Sequence, residues 1–146
     1  MYQRILVPLD GSQNAQSALK TAIQIARYFG STLILMSVAD QGSMSIASGS
    51  LPLDLSQELG KRAQQILNEG QSTAETAGVA MESFVTEGIP KNEIVSAAED
   101  EEADLIVIGK SGADALNRLL IGSTTAYVVR RRPCRFWSLM RKKIND

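Results

Sequence analysis

Short apolar segments alternate with segments of helical periodicity along this chain, and that alternation restricts its fold more than any other feature. Residues 4–9, 32–38 and 104–108 are dominated by apolar side chains, while residues 79–86 form a partly exposed strand. Strands that are apolar on both sides are typical of parallel sheets buried between helices. We therefore predict an α/β fold, with a single open, doubly wound and mainly parallel sheet that has helices on both faces.

Helical segments separate these strands. Ser12 is a suitable N-cap and Gly30 a suitable stop for the first helix. One apolar stripe at helical spacing lies between them, formed by Ala15, Ala18, Leu19, Ala22, Ile23 and Ala26. A long helix is predicted over residues 53–77, a third opens at Pro90, and the last runs over residues 123–131.

The remaining segments have no clear period. Residues 39–52 are rich in Ser and Gly, and they are predicted to form a lid or a poorly ordered loop. Residues 135–146 are interpreted as a fifth strand followed by a basic tail. A length of 146 residues, without an internal repeat, predicts one domain over residues 1–146.

Composition excludes several classes of active site. The chain contains no His and a single Cys, Cys134, so a zinc site and a His-activated nucleophile are not expected. One Cys forms no disulfide framework, and no apolar run reaches the roughly 20 residues of a membrane span. The N-terminal apolar stretch is broken by Pro8 and closed by Asp10, unlike a signal peptide. We predict a cytoplasmic protein that does not associate with membranes.

Charge is distributed unevenly along the chain. Residues 1–129 carry 8 Lys and Arg against 15 Asp and Glu, a net charge of −7, whereas residues 130–146 carry 7 against one, a net charge of +6. Arg130 to Arg132 fall at a predicted helix C-terminus, where cations are favourable. Because the acidic body would repel a polyanion, no nucleic-acid binding beyond weak, salt-sensitive association is predicted.

A ligand-binding site in such a sheet is expected at the carboxyl ends of its strands. Asp10 follows the first strand and is a candidate to accept hydrogen bonds from a ribose, and the backbone near Val38 ends the second strand and suits a base edge. Three glycines and a helix start follow the fourth strand and suit phosphates, namely Gly109, Gly112, Gly122 and Ser123. The alternative readings are an Asp-Gly turn that caps the first helix and glycines that only shape turns.

Two familiar nucleotide-binding motifs are not present in the sequence. Gly109-Lys110-Ser111 resembles the end of a P-loop, but Asp104 stands where its first glycine belongs, and no G-x-G-x-x-G follows the first strand. The pattern that holds is G-x2-G-x9-G-[ST], from Gly109 to Ser123, preceded by DLIVI and by an Asp after ILVPL. With the stretches EIVSAAEDEEADLIVIGKSG and IGS…VVRRRPC, the chain resembles the universal stress protein family over about residues 2–134.

This resemblance implies a five-stranded sheet of order 3-2-1-4-5, ATP binding as in one branch of the family, and a homodimer built largely through the fifth strand. Pro8 and Asp10 would flank the nucleoside, with Asp10 on the ribose, and Val38 would contact adenine through its backbone. Ile108 and Gly109 would line the ribose side. The phosphates would be held by Gly112, Gly122, Ser123 and Thr124.

Two stretches depart from the family pattern. After Gly109, Ser111 and Ala113 stand where basic or His residues are usual, and Asp114 adds a negative charge, which Lys110 and Arg118 would offset. Residues 135–146 replace a plain Val and Leu strand with RFWSL and a basic tail.

We therefore expect an ATP-binding regulatory or stress-response protein that lacks catalytic residues and has protein partners yet to be identified. Its ligand is ATP, or alternatively ADP or AMP, and Mg²⁺ would accompany the phosphates without a carboxylate pair dedicated to it. The alternatives are a dimeric interaction module that binds no nucleotide, and a slow ATP hydrolase.

Overall fold

A computed structural model describes residues 2–40, 52–109, 123–131 and 135–139. Strands and helices alternate throughout. The strands are β1 (Arg4–Pro8), β2 (Thr32–Asp40), β3 (Met81–Gly88), β4 (Leu105–Gly109) and β5 (Arg135–Leu139). The helices are α1 (Gln13–Phe29), α2 (Leu53–Thr76), α3 (Pro90–Asp100) and α4 (Ser123–Arg131). The predicted α/β class is confirmed.

Local signals set the ends of α1. The Ala15 N–H donates to the Ser12 hydroxyl at 3.1 Å, which satisfies one of the unpaired amides of the first turn. At the other end Gly30 adopts a left-handed conformation, with φ 70° and ψ 33°, and its N–H donates to the Ala26 carbonyl. Both ends lie where the sequence predicted them.

The strands form one sheet in the order β3-β2-β1-β4-β5, and every neighbouring pair is parallel. The succession of the first four strands, 3-2-1-4, is the expected one. Pro8, the last residue of β1, pairs with Met36, so β2 continues past the end of β1 as far as Asp40. β5 pairs with β4 from Leu105↔Arg135 to Gly109↔Leu139 and forms one edge.

Helices cover both faces of the sheet, and each face has its own core. Ile5 and Val7 of β1 point toward α1 and α2, whereas Leu6 points toward α3 and α4; all three side chains are fully buried. Alternation of this kind, with both sides apolar, is what a sheet between two helical layers requires. None of the helices within the described ranges is both long and apolar enough to cross a membrane.

The boundaries of β2 and β3 differ from their predicted positions. β2 continues through Ala39 and Asp40, which were expected to begin a loop, because these residues pair with Glu87 and Gly88. The same pairing extends β3 beyond Thr86, while its start moves from residue 79 to Met81. The rest of the predicted loop, residues 41–51, lies outside the described residues.

The amino-terminal edge of the sheet is tied together by Arg4. Its guanidinium is 3.0 Å from the Glu82 carboxylate and 3.1 Å from that of Glu101, so it links β1, β3 and the end of α3. The hydrogen bond that Arg4 donates to the Glu82 carboxylate raises the pKa of Arg4, so this cation stays charged. Asp104 accepts the N–H groups of Gln3 and Arg4 and holds the start of β4 beside β1.

Candidate functional site

A cleft of about 390 Å³ opens at the carboxyl ends of β1, β2 and β4. Such a position is typical of ligand sites in open parallel sheets, and the volume lies within the range of small-molecule pockets. Its floor is formed by strand ends and its walls by helices on both faces of the sheet.

Most of the residues predicted from the sequence meet in this cleft. Six of the nine line it: Pro8, Asp10, Val38, Ile108, Gly109 and Thr124. Gly112 and Gly122 lie outside the described residues, and Ser123 is described only as the first residue of α4. The first five share the cleft because parallel strands bring their carboxyl ends to one edge, and Thr124 joins them because α4 begins there.

Asp10 takes part in a turn and also faces the cleft. The Ser12 N–H donates to Asp10 Oδ1 at 2.9 Å, and Gly11 follows with a φ of 82°. This is the Asp-Gly turn that the sequence offered as the structural alternative. The turn uses one carboxylate oxygen, and Oδ2 has no hydrogen bond to any described residue, so the exposed side chain retains an acceptor for a ligand.

Gly109 lines the cleft, but the structure provides a different reason for its missing side chain. A Cβ at this position would lie 2.4 Å and 2.5 Å from the carbonyl C and O of Asn14, and 2.6 Å from the N of Ala15. The sequence reading attributed the glycine to the approach of a phosphate. In the described structure the first turn of α1 occupies that space, and this packing reason requires a glycine whether or not a phosphate approaches.

Helix α2 supplies a wall that sequence reasoning did not place at the site. Leu59, Arg62, Ala63 and Ile66 line the cleft, at the i, i+3, i+4, i+7 spacing of one helix face. Leu59, Ala63 and Ile66 are apolar, and an apolar helix face signals burial without showing which surface covers it. Arg62 interrupts that apolar face. A charged residue at this position is the one sequence feature that could have indicated a binding site rather than a buried core.

Helix α3 forms part of the opposite wall. Pro90 at its first turn and Ile94 one turn later both line the cleft. The sequence identified Pro90 as a helix start, and Ile94 is only 3% exposed. An apolar wall from α3 facing a wall from α2 suits a flat, largely apolar group between them.

The charged residues of the cleft are few. Among its described lining, the ionisable side chains are Asp10, Asp40 and Arg62. No group of three or more His, Cys, Asp or Glu side chains in the described ranges is arranged to hold a metal ion. The arrangement can orient a ligand through strand-end backbone groups and a carboxylate, and it offers little for acid–base chemistry.

Comparisons with known proteins agree with this fold over almost the whole chain. A model of the universal stress protein family matches residues 1–137. The chain is 37% identical over 136 residues to universal stress protein MJ0531 of Methanocaldococcus jannaschii, covering 92% of this chain and 79% of the relative. It is 30% identical to MJ0577 of the same organism, whose solved structure matches with a TM-score of 0.85 and covers 98% and 99% of the two chains.

A solved structure of a universal stress protein in complex with cAMP also matches, with a TM-score of 0.73, 28% identity and coverage of 97% and 99%. A family model that covers nearly the whole sequence, together with a relative of this identity, is sufficient to assign the family. The resemblance seen in the glycine pattern is therefore confirmed, and this chain belongs to the universal stress protein family.

Proposed function

We propose that this chain binds an adenine nucleotide, ATP in the first place, in the cleft at the carboxyl ends of β1, β2 and β4, and that it acts as a regulatory stress-response protein. The observation that supports this most is the meeting of Asp10, Val38 and Thr124 around one cleft. A carboxylate, a strand-end backbone and a helix start correspond to ribose, base and phosphate in that order. A family member of similar fold that holds cAMP adds support for an adenine nucleotide.

The proposed pose follows the elements around the cleft. Backbone groups at Val38 meet the base, and the free oxygen of Asp10 accepts hydrogen bonds from the ribose hydroxyls. The phosphates lie toward the N-terminus of α4, where unpaired amides and the helix dipole favour negative charge. In this proposal Gly112, Gly122, Ser123 and Thr124 contact the phosphates, with Mg²⁺ held by phosphate oxygens and water.

Fast catalysis is not part of the proposal. The chain has no His, and the one carboxylate that lies beside the ribose, Asp10, is held in a turn by the Ser12 amide. A slow ATP hydrolase is the alternative that this leaves. We further propose a cytoplasmic homodimer, because β5 forms an edge of the sheet and exposed edges favour pairing with another strand.

Two measurements test whether this chain binds an adenine nucleotide. Mass spectrometry of ligand released from freshly purified protein should detect an adenine nucleotide. Thermal unfolding of ligand-free protein should show a higher midpoint with ATP at about 100 times its Kd, since binding then stabilises by about 2.7 kcal/mol. If adenosine, AMP, ADP, ATP and cAMP all leave the midpoint unchanged, the proposal is wrong and an interaction module without a nucleotide becomes the better description.

A further inference from the structure

Arg62 is a feature of the cleft that neither the glycine pattern nor the family assignment accounts for. It lies in α2 between Leu59 and Ile66, and it is the only cation in the described lining of the cleft. A cation within an otherwise apolar helix stripe is unusual, because that stripe generally faces a core. Arg62 therefore places a positive charge beside the apolar wall of the cleft.

No such partner occurs within the described part of the chain. Arg62 forms no hydrogen bond or ion pair with any described residue, although Asp10 and Asp40 line the same cleft. Arg62 is exposed, and none of its five N–H donors is used by a described residue. A ligand bound in the cleft would supply the partner for Arg62 that the described residues do not provide.

The sheet topology determines which part of a ligand lies within reach. Helix α2 packs on β2 and β3, on the same face of the sheet as α1, whereas Val128 of α4 belongs to the core on the other face. Arg62 therefore reaches the cleft from the helix that covers β2, the strand that contains Val38, and Thr124 reaches it from a helix on the opposite face. Ile94 lines the cleft from the opposite face.

We propose that the guanidinium plane of Arg62 stacks on the aromatic base of the bound nucleotide, with the base held between Arg62 and the apolar side chain of Ile94. This inference rests on the proposed nucleotide function. Guanidinium groups stack on nucleobases and aromatic faces because the cation is planar, delocalised and weakly hydrated. An ammonium has no such plane, so Lys is a poor substitute at a stacking site.

The alternative partner for Arg62 is a phosphate, and the two contacts predict different patterns. A stacking contact contributes the same factor to adenosine, AMP and ATP, because all three share the base. A phosphate contact contributes nothing to adenosine and more to ATP than to AMP, and its effect weakens with added salt. The place of Arg62 on the helix that covers β2 favours the first pattern, because the base is proposed to lie at Val38 of that strand.

The experiment measures Kd by titration calorimetry for adenosine, AMP and ATP with the wild-type chain and with Arg62→Ala and Arg62→Lys. Lys61→Ala is the matched control, since Lys61 is an exposed neighbouring cation in α2 that does not line the cleft. Stacking predicts that Arg62→Ala weakens all three ligands by a common factor of about 2 to 30. Arg62→Lys should lose most of this affinity, and Lys61→Ala should remain within about twofold of wild type.

Each outcome has a distinct meaning. A loss that is absent for adenosine and grows with the number of phosphates overturns the stacking assignment, as does unchanged affinity in Arg62→Ala. An equal loss in Lys61→Ala also overturns it, because it reduces Arg62 to a general charge effect. If the wild-type chain binds none of the three ligands, the proposed function itself fails, which is a different result from a silent Arg62 variant in a protein that binds.

Discussion

Gly109→Ala tests why a glycine ends β4. Gly109 is not among the described glycines with positive φ, so its backbone conformation is open to alanine. The obstacle is space: the new methyl carbon would lie 2.4 to 2.6 Å from three backbone atoms of Asn14 and Ala15. Comfortable contacts between carbon atoms lie near 3.5 to 4.0 Å. Backbone atoms cannot rotate out of the way, so α1 or β4 must move by about 1 Å.

The expected cost follows from that overlap. Adding a methyl group to a filled interior costs about 1–3 kcal/mol, and the upper part of this range applies because the atoms in conflict belong to a helix backbone. For a chain of this size, each kcal/mol lowers Tm by about 2–4 °C. We expect Gly109→Ala to lower the free energy of unfolding by about 2–3 kcal/mol and Tm by about 4–12 °C.

Gly60→Ala is the matched control. Gly60 lies inside α2, and a Cβ there would have no neighbour within 4 Å. The same chemical change should therefore stabilise the protein by about 0.5–1 kcal/mol, because alanine favours the helix. Urea unfolding followed by circular dichroism measures both variants, with unchanged m-values showing that only stability differs. A Gly109→Ala chain as stable as wild type, or two variants shifted equally downward, would refute the packing argument.

Two further substitutions test the site and its surroundings. Asp10→Asn keeps an acceptor for the Ser12 amide, so it should retain stability while weakening adenosine binding by about three- to tenfold. Asp10→Ala should lower both stability and adenosine affinity. If Asp10→Asn binds adenosine like wild type, Asp10 serves only the turn. Thr86→Val removes a buried hydroxyl that has no hydrogen-bond partner in the described structure, and it should raise the free energy of unfolding by about 1 kcal/mol, measured by urea unfolding. A loss of stability in Thr86→Val would mean that the hydroxyl has a partner.

Local chemistry made much of the fold predictable. Ser12 and Gly30 bound α1 where expected because a cap hydroxyl and a left-handed glycine act within a few residues of the chain. The doubly covered sheet could be predicted because runs such as Ile5 to Val7 are apolar on both sides. These signals do not require knowledge of what lies across the sheet.

The errors concern features that depend on a distant partner. β2 extends to Asp40 because β3 continues beside it as far as Gly88. The local sequence around residue 40 does not predict that pairing. The α2 wall was missed for the same reason, since a helix stripe shows that a surface is covered without showing by what. The packing role of Gly109 required the position of the Asn14 backbone, which lies far away in sequence.

The junction from β1 to α1 shows why a structural and a functional reading of one residue need not exclude each other. Asp10 accepts the Ser12 amide through one oxygen, Gly11 supplies the left-handed turn, and Ser12 caps the helix. Each of these roles would be required even if no ligand ever bound. Yet the same turn fixes the orientation of the Asp10 carboxylate at the edge of the cleft, with its second oxygen unused by the described residues. A carboxylate held by the fold loses less conformational entropy when a ribose binds, so the structural role of Asp10 favours its proposed binding role.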